Sequence, residues 1–304
     1  MTPPSPPAAA GLVLLAALAA PAAVHGQCLS GTVAAQTAGP CTFRAARWSG
    51  EIASLGANVL LGALTAGVQQ RIRGGSFAAA FTRGALGGSL MYAGKRLAAE
   101  RFSGAGLIGR QLNATGASAA RNAGLGMPVF SRLTLPLGPV WLELDRTRSA
   151  GLDIGARIDA AALGWLVYGI AEDEVRLDAG ESFSAGTAIF RTDGKLLRLD
   201  DDSAHAGGLT SAGVIFLADV PAFDPDYGPR SLRHERMHVL QEDGIAILWT
   251  DPAGVWTLHR SGPFATLAPR LAVNLATELF GLLGPLFSMH EDRPWELEAI
   301  FRAR

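Results

Sequence analysis

Between residues 45 and 127 the chain is rich in Ala, Gly and Arg, and after Glu51 its one acid is Glu100. Helices made of such small residues cannot fill a core by side-chain bulk, so they must close toward backbone contact. Gly84 and Gly88 have the small-xxx-small spacing that permits this approach. The stretch Ile52–Gln70 carries no charge and is followed by Arg71 and Arg73. It reads as a helix buried in a Gly-lined layer or held at a membrane, rather than as a true span. Gly104-Ala105-Gly106-Leu107-Ile108-Gly109 has the outline of a dinucleotide loop but no strand–helix–strand context, so it reads as helix packing or a turn.

The whole chain of 304 residues is 49 % hydrophobic and 17 % charged, with a mean hydropathy of +0.23. That balance excludes a mostly disordered chain, and the length allows two or three packed units. A net charge of −1 removes the basic surplus expected of a nucleic-acid binder, so no nucleic-acid partner is expected. Ala8–Val24 is an Ala/Leu-rich run broken by Pro21, with Gly26 just beyond it. It reads as a signal peptide over 1–26, although no Lys or Arg precedes Arg44. The expected mature start is near Gln27, with export to the periplasm, the cell envelope or the medium. The two cysteines, Cys28 and Cys41, would then form a local disulfide.

From about residue 128 the period changes. Val140, Leu142 and Leu144 alternate with Trp141, Glu143 and Asp145, and Trp165–Tyr168 is rich in strand-forming residues. Thr187–Thr192 and Lys195–Leu199 flank Asp193-Gly194, a hairpin signal, and Val214–Val220 closes the series before Pro221. Asp200-Asp201-Asp202 lacks the ligand alternation of a calcium loop and reads as a solvated turn. Beyond residue 222 a helix is expected from Pro229 to about Glu242, stopping at Gly244. A second hairpin is expected from Ile245–Thr250 and Val255–His259. A long apolar helix over Leu271–Met289 and a last helix from Pro294 complete the chain. The expected organisation is α+β: signal peptide 1–26, Gly/Ala-rich helical region 27–127, antiparallel β unit 128–222, and a helical region 223–304.

The chemistry concentrates in His234-Glu235-Arg236-Met237-His238. On a helix, residues four apart stand one turn above each other, so His234 and His238 can hold one Zn²⁺ between them. Glu235 lies beside that metal and can take a proton from its bound water, which the metal acidifies toward pH ~7. A catalytic zinc needs a third protein ligand and an open position. Glu296 is the leading third ligand, with His290, Glu278 and Glu298 as competitors. Glu296 and Glu298 are two apart, about 200° around a helix, so only one can face the metal. Glu298 is expected to be solvated.

Leu232–Gln241 resembles the active-site helix of gluzincin-type zinc metallopeptidases, some of which carry HExxHxxQ and a later E-x-E-A helix. Glu296-Leu297-Glu298-Ala299 fits that second motif, and the resemblance implies Glu296 as the zinc ligand. It covers residues 226–304 only. Ile300 stands where these families commonly place an aspartate, and Arg236 and Met237 replace their small or apolar residues. The implied function is zinc-dependent hydrolysis of a protein or peptide substrate with Glu235 as general base. His259, His290, Tyr227 and Arg293 are candidates for oxyanion stabilisation. The alternative is a non-enzymatic envelope protein, associated with a membrane through residues 52–100, whose zinc site is structural or vestigial. A structural site requires a fourth protein ligand.

Overall fold

The computed structural model describes residues 40–147, 151–172, 175–192, 208–218, 227–253, 255–257, 270–274, 298–299 and 302. Three helices open the described chain: α1 (Pro40–Ile72), α2 (Phe77–Ala98) and α3 (Ala105–Gly124). Ser76 caps α2 by accepting the Ala79 N–H on its hydroxyl. Gly104 enters α3 at φ +85°, a left-handed backbone that costs glycine no Cβ clash.

The helices meet at backbone distance. A Cβ placed on Gly62 would lie 2.5 Å from the Gly84 carbonyl oxygen, and one on Gly94 would lie 2.4 Å from the Asn113 nitrogen. The sequence spacing at Gly84 and Gly88 is therefore the α1–α2 seam, while Gly94 and Gly109 form the α2–α3 seam. Gly50–Ile72 is long and apolar enough to cross a membrane. One face of it is nonetheless used inside the fold: Ala63, Thr65, Ala66 and Gln69 are buried.

Two sheets complete the fold. In the first, β1 (Arg132–Leu137), β2 (Val140–Asp145) and β3 (Asp153–Asp159) run antiparallel, with β9 (Arg270–Asn274) parallel to β3 and β8 (Val255–Thr257) outside it. In the second, β4 (Val175–Leu177), β5 (Ile189–Thr192), β7 (Val214–Ala218) and β6 (Gly208–Ser211) lie in that spatial order, with β5 and β7 parallel. Between these strands run α4 (Ala160–Ala171), α5 (Ala179–Ala185) and α6 (Tyr227–Ala253). The chain is α+β, as expected.

Four local expectations are corrected. Trp165–Tyr168 belongs to helix α4, because the Asp159 carboxylate accepts from the Ala161 and Ala162 N–H groups and starts a helix there. Trp165 and Tyr168 then pack edge-on against Phe216, at 5.7 and 6.3 Å between ring centroids. The strands of 128–222 are not purely antiparallel or self-contained, since β3 takes a parallel partner from residues 270–274. Helix α6 passes through Gly244 to Ala253, so Ile245–Thr250 is helix. Finally, Leu271–Asn274 is strand, so no apolar helix begins at Leu271. The hairpin at Asp193-Gly194, the aspartate run 200–202, the signal peptide and Cys28 lie outside the described residues.

Gly244 has a packing role in place of the expected helix stop. A Cβ there would lie 2.9 Å from Met91 Cε, the flexible end of a side chain of α2, so the residue sits within the α2–α6 contact rather than at a helix end. Helix α6 thereby spans two cores. Leu232 and Val239 pack with Ile189, Ile215 and Leu217 of the second sheet. Ile245, Ile247, Leu248 and Trp249 pack with Met91, Ala117 and Trp141. Each fully buried large aliphatic side chain contributes roughly 1.5–3 kcal/mol, so the helix is fixed in orientation along its length.

Candidate metal centre

Helix α6 places His234 and His238 on one face. Their Nε2 atoms stand 3.0 Å apart, with ring planes at 84°. Two nitrogens bound to one tetrahedral zinc at ~2.0–2.1 Å would be separated by ~3.3 Å, so the imidazoles converge nearly as a metal requires. Met237 between them is fully buried, and Arg236 donates from Nη2 to Glu181 Oε2 of α5 at 2.9 Å. The bulk at these two positions thus turns into the core and toward α5.

Glu235 is buried under the outermost described strand of the second sheet. Thr210 of β6 donates its hydroxyl to Glu235 Oε2 at 2.7 Å. A Cβ on Gly208, two residues earlier on the same strand, would lie 2.6 Å from Glu235 Cγ. Only glycine lets the strand lie so close over this carboxylate.

Behind His238 runs a second row of polar side chains. His238 Nδ1 is 3.0 Å from Gln241 Oε1, and Gln241 Nε2 donates to Glu298 Oε2 at 3.2 Å. The same carboxylate accepts from Lys95 Nζ at 2.6 Å, Ser54 Oγ at 2.7 Å and Asn58 Nδ2 at 2.9 Å. Burial pulls the Glu298 carboxyl up, but the Lys95 ammonium and the hydrogen bonds from Lys95, Ser54 and Gln241 outweigh it and hold it at about 2. The expectation of a solvated Glu298 is therefore corrected: it sits in a charged network between α1, α2 and α6. Glu296, His290, Glu278, His259 and Arg293 lie outside the described residues. Among the described residues no three His, Cys, Asp or Glu side chains converge on a common point.

The C-terminal half of the motif helix is pinned by two further acids. Asp243 receives Arg110 of α3 through Nε at 2.6 Å and Nη2 at 3.1 Å. Glu242 Oε2 accepts the Gly213 N–H at 2.8 Å, tying α6 to the β6–β7 turn, where Ala212 adopts φ +48°. Burial pushes the Glu242 carboxyl up to about 7, with the Asp243 charge adding to it and the Gly213 N–H opposing it. The folded protein thus holds a proton that the unfolded chain releases near pH 4.5. The stability Glu242 contributes is fully present below pH 4.5 and is lost as pH rises through about 7. Glu242→Gln is expected to flatten that fall by roughly 2 kcal/mol, seen as a smaller change in urea midpoint between pH 5 and pH 8. An unchanged difference between the two pH values would show that Glu242 is ionised in the fold.

Sequence reasoning found the two histidines and Glu235 but missed Thr210, Lys95, Ser54 and Asn58. None carries a motif, and Lys95 and Asn58 sit in the apolar block that reads as packing. Gln241 was the one available signal, three residues after His238 and so on its face of the helix. No family model, no curated protein and no solved structure matches the chain.

Proposed function

We propose that this chain is an exported zinc-dependent peptidase of gluzincin-like kind. The observation that supports it most is the convergence of His234 and His238 Nε2 to 3.0 Å beside a buried Glu235. Two imidazoles aimed at one point suit zinc better than magnesium or calcium, which prefer oxygen donors. His234 and His238 would hold the ion, with Glu296 as the proposed third ligand. Bound there, the metal supplies an acidified water and a polarised substrate carbonyl.

The chain's own residues do the rest. Thr210 fixes Glu235 Oε2, which leaves Oε1 to accept a proton from water and return it to the leaving amine. Among the described residues strand β6 pairs on one side only, with β7, and its other edge would offer backbone groups to an extended peptide. A protein or peptide is the substrate proposed on that ground. Export rests on the apolar run Ala8–Val24. The Gly/Ala-rich helices would form an N-terminal layer able to associate with a membrane through residues 52–100, with the motif region docked on it.

The purified protein is expected to carry one zinc per chain and to hydrolyse a mixed peptide pool. His234→Ala with His238→Ala is expected to abolish stoichiometric metal, read by elemental analysis. Zinc retained in that variant would overturn the site. Zinc lost on mutation, but no hydrolysis by the parent, would favour the structural-site reading instead.

A further inference from the structure

We propose that Gln241 and Glu298 form a positioning relay that fixes the tautomer of His238, anchored at its far end by Lys95, Ser54 and Asn58. It rests on the reading of His234 and His238 as a metal pair, and neither relay residue is itself a ligand.

The inference follows from donors and acceptors alone. Glu298 is surrounded by donors: Ser54 Oγ and Asn58 Nδ2 reach Oε1, and Lys95 Nζ and Gln241 Nε2 reach Oε2. An ionised carboxylate accepts and cannot donate. The end of Gln241 that faces it must therefore be the NH₂ group, which turns the Gln241 carbonyl oxygen toward His238. That oxygen is also an acceptor only, so His238 Nδ1, 3.0 Å away, must carry the hydrogen. A neutral imidazole protonated at Nδ1 has its lone pair at Nε2, the atom that points at His234. A carboxylate thus sets the ligand state of His238 from two side chains away. Lys95 keeps that carboxylate charged inside the fold, at a side-chain exposure of 5 % for Lys95 and 15 % for Glu298.

A purely structural clamp joining residue 298 to α1 and α2 would make the same contacts with Glu298, but it would not choose between imidazole nitrogens. The test is long-range ¹H–¹⁵N correlation of the histidine rings in metal-free protein at pH ~8, where a free imidazole is neutral. The parent is expected to show His238 protonated at Nδ1. Gln241→Met, which keeps the side-chain length, is expected to move His238 toward Nε2 protonation and to weaken zinc binding ~10–100-fold in a competition titration.

Protonation at Nε2 in the parent overturns the relay, as does a tautomer and zinc affinity unmoved by Gln241→Met. If the parent shows Nδ1 protonation that depends on Gln241 and yet binds no zinc, the relay stands and the metal reading falls. Zinc binding that ignores Gln241 gives the converse.

Discussion

Glu235→Gln is expected to lower peptide hydrolysis by ~10²–10⁴-fold while leaving one zinc bound, because a positioned proton carrier contributes about that factor. The substitution is nearly isosteric. It preserves the acceptor that the Thr210 hydroxyl uses at 2.7 Å, provided the amide turns its oxygen to that side. The fit of Gly208 against the side chain is also kept, since the space there is set by Cγ and Cδ. What is lost is the ability to accept a proton and return it. The check is paired: elemental analysis for metal, and kcat/KM on the same peptide for parent and variant. Full activity in the variant would remove Glu235 from the chemistry. Loss of zinc along with activity would mean the residue holds the site together rather than moving a proton.

Asp243→Ala is expected to cost ~3–5 kcal/mol of unfolding free energy, as breaking a buried ion pair typically does. Arg110 has 1 % of its side chain exposed and Asp243 has 3 %, so neither can turn to water if the other is removed. Arg110 also donates from Nη1 to the Gly186 carbonyl just after α5. Truncating Asp243 therefore leaves a buried guanidinium with one remaining strong acceptor at the junction of α3, α5 and α6. Replacing both partners with apolar residues of similar volume, Arg110→Met with Asp243→Leu, is expected to recover most of the loss. Urea unfolding of the single and double variants separates the two outcomes. A single variant within about 1 kcal/mol of the parent would mean that water reaches the pair.

Much of the helical layer was legible because Gly84 and Gly88 act through a property visible in sequence, the absence of a side chain at a helical spacing. Strand β2 was legible through the alternation of Val140, Leu142 and Leu144, but its partner β1, which pairs Leu135 with Leu142 and Leu133 with Leu144, was not. Failures arose where one residue type serves two purposes. Gly244 carries the signature of a helix stop, but its missing Cβ is filled by Met91. Trp165, Val167 and Tyr168 favour strands, yet a cap from Asp159 commits them to a helix. Sequence also gives no sign of parallel pairing between strands as distant as β3 and β9, because the partner is chosen by the tertiary fold.

The candidate site divides in the same way. His234, Glu235 and His238 are related by helical spacing, so local rules suffice. Lys95, Ser54, Asn58 and Glu298 meet only after folding, and no local pattern announces them. Gln241, on the face of the helix that carries His238, was the one hint.

The distances along the chain that this network spans bear on how the protein reaches its native state. Glu298 joins Ser54 across 244 residues and Lys95 across 203, and Arg302 reaches Glu51 across 251. Contacts of such high sequence separation must meet their loop-closure entropy before they return any energy, so they form late. The motif helix can be helical long before this, because its turns are local. With the proposed relay, assembly is expected to run from paired histidines with either nitrogen protonated to a pair with one tautomer selected. Metal affinity is accordingly expected to mature during refolding, rising in a slow phase after the helical signal is complete.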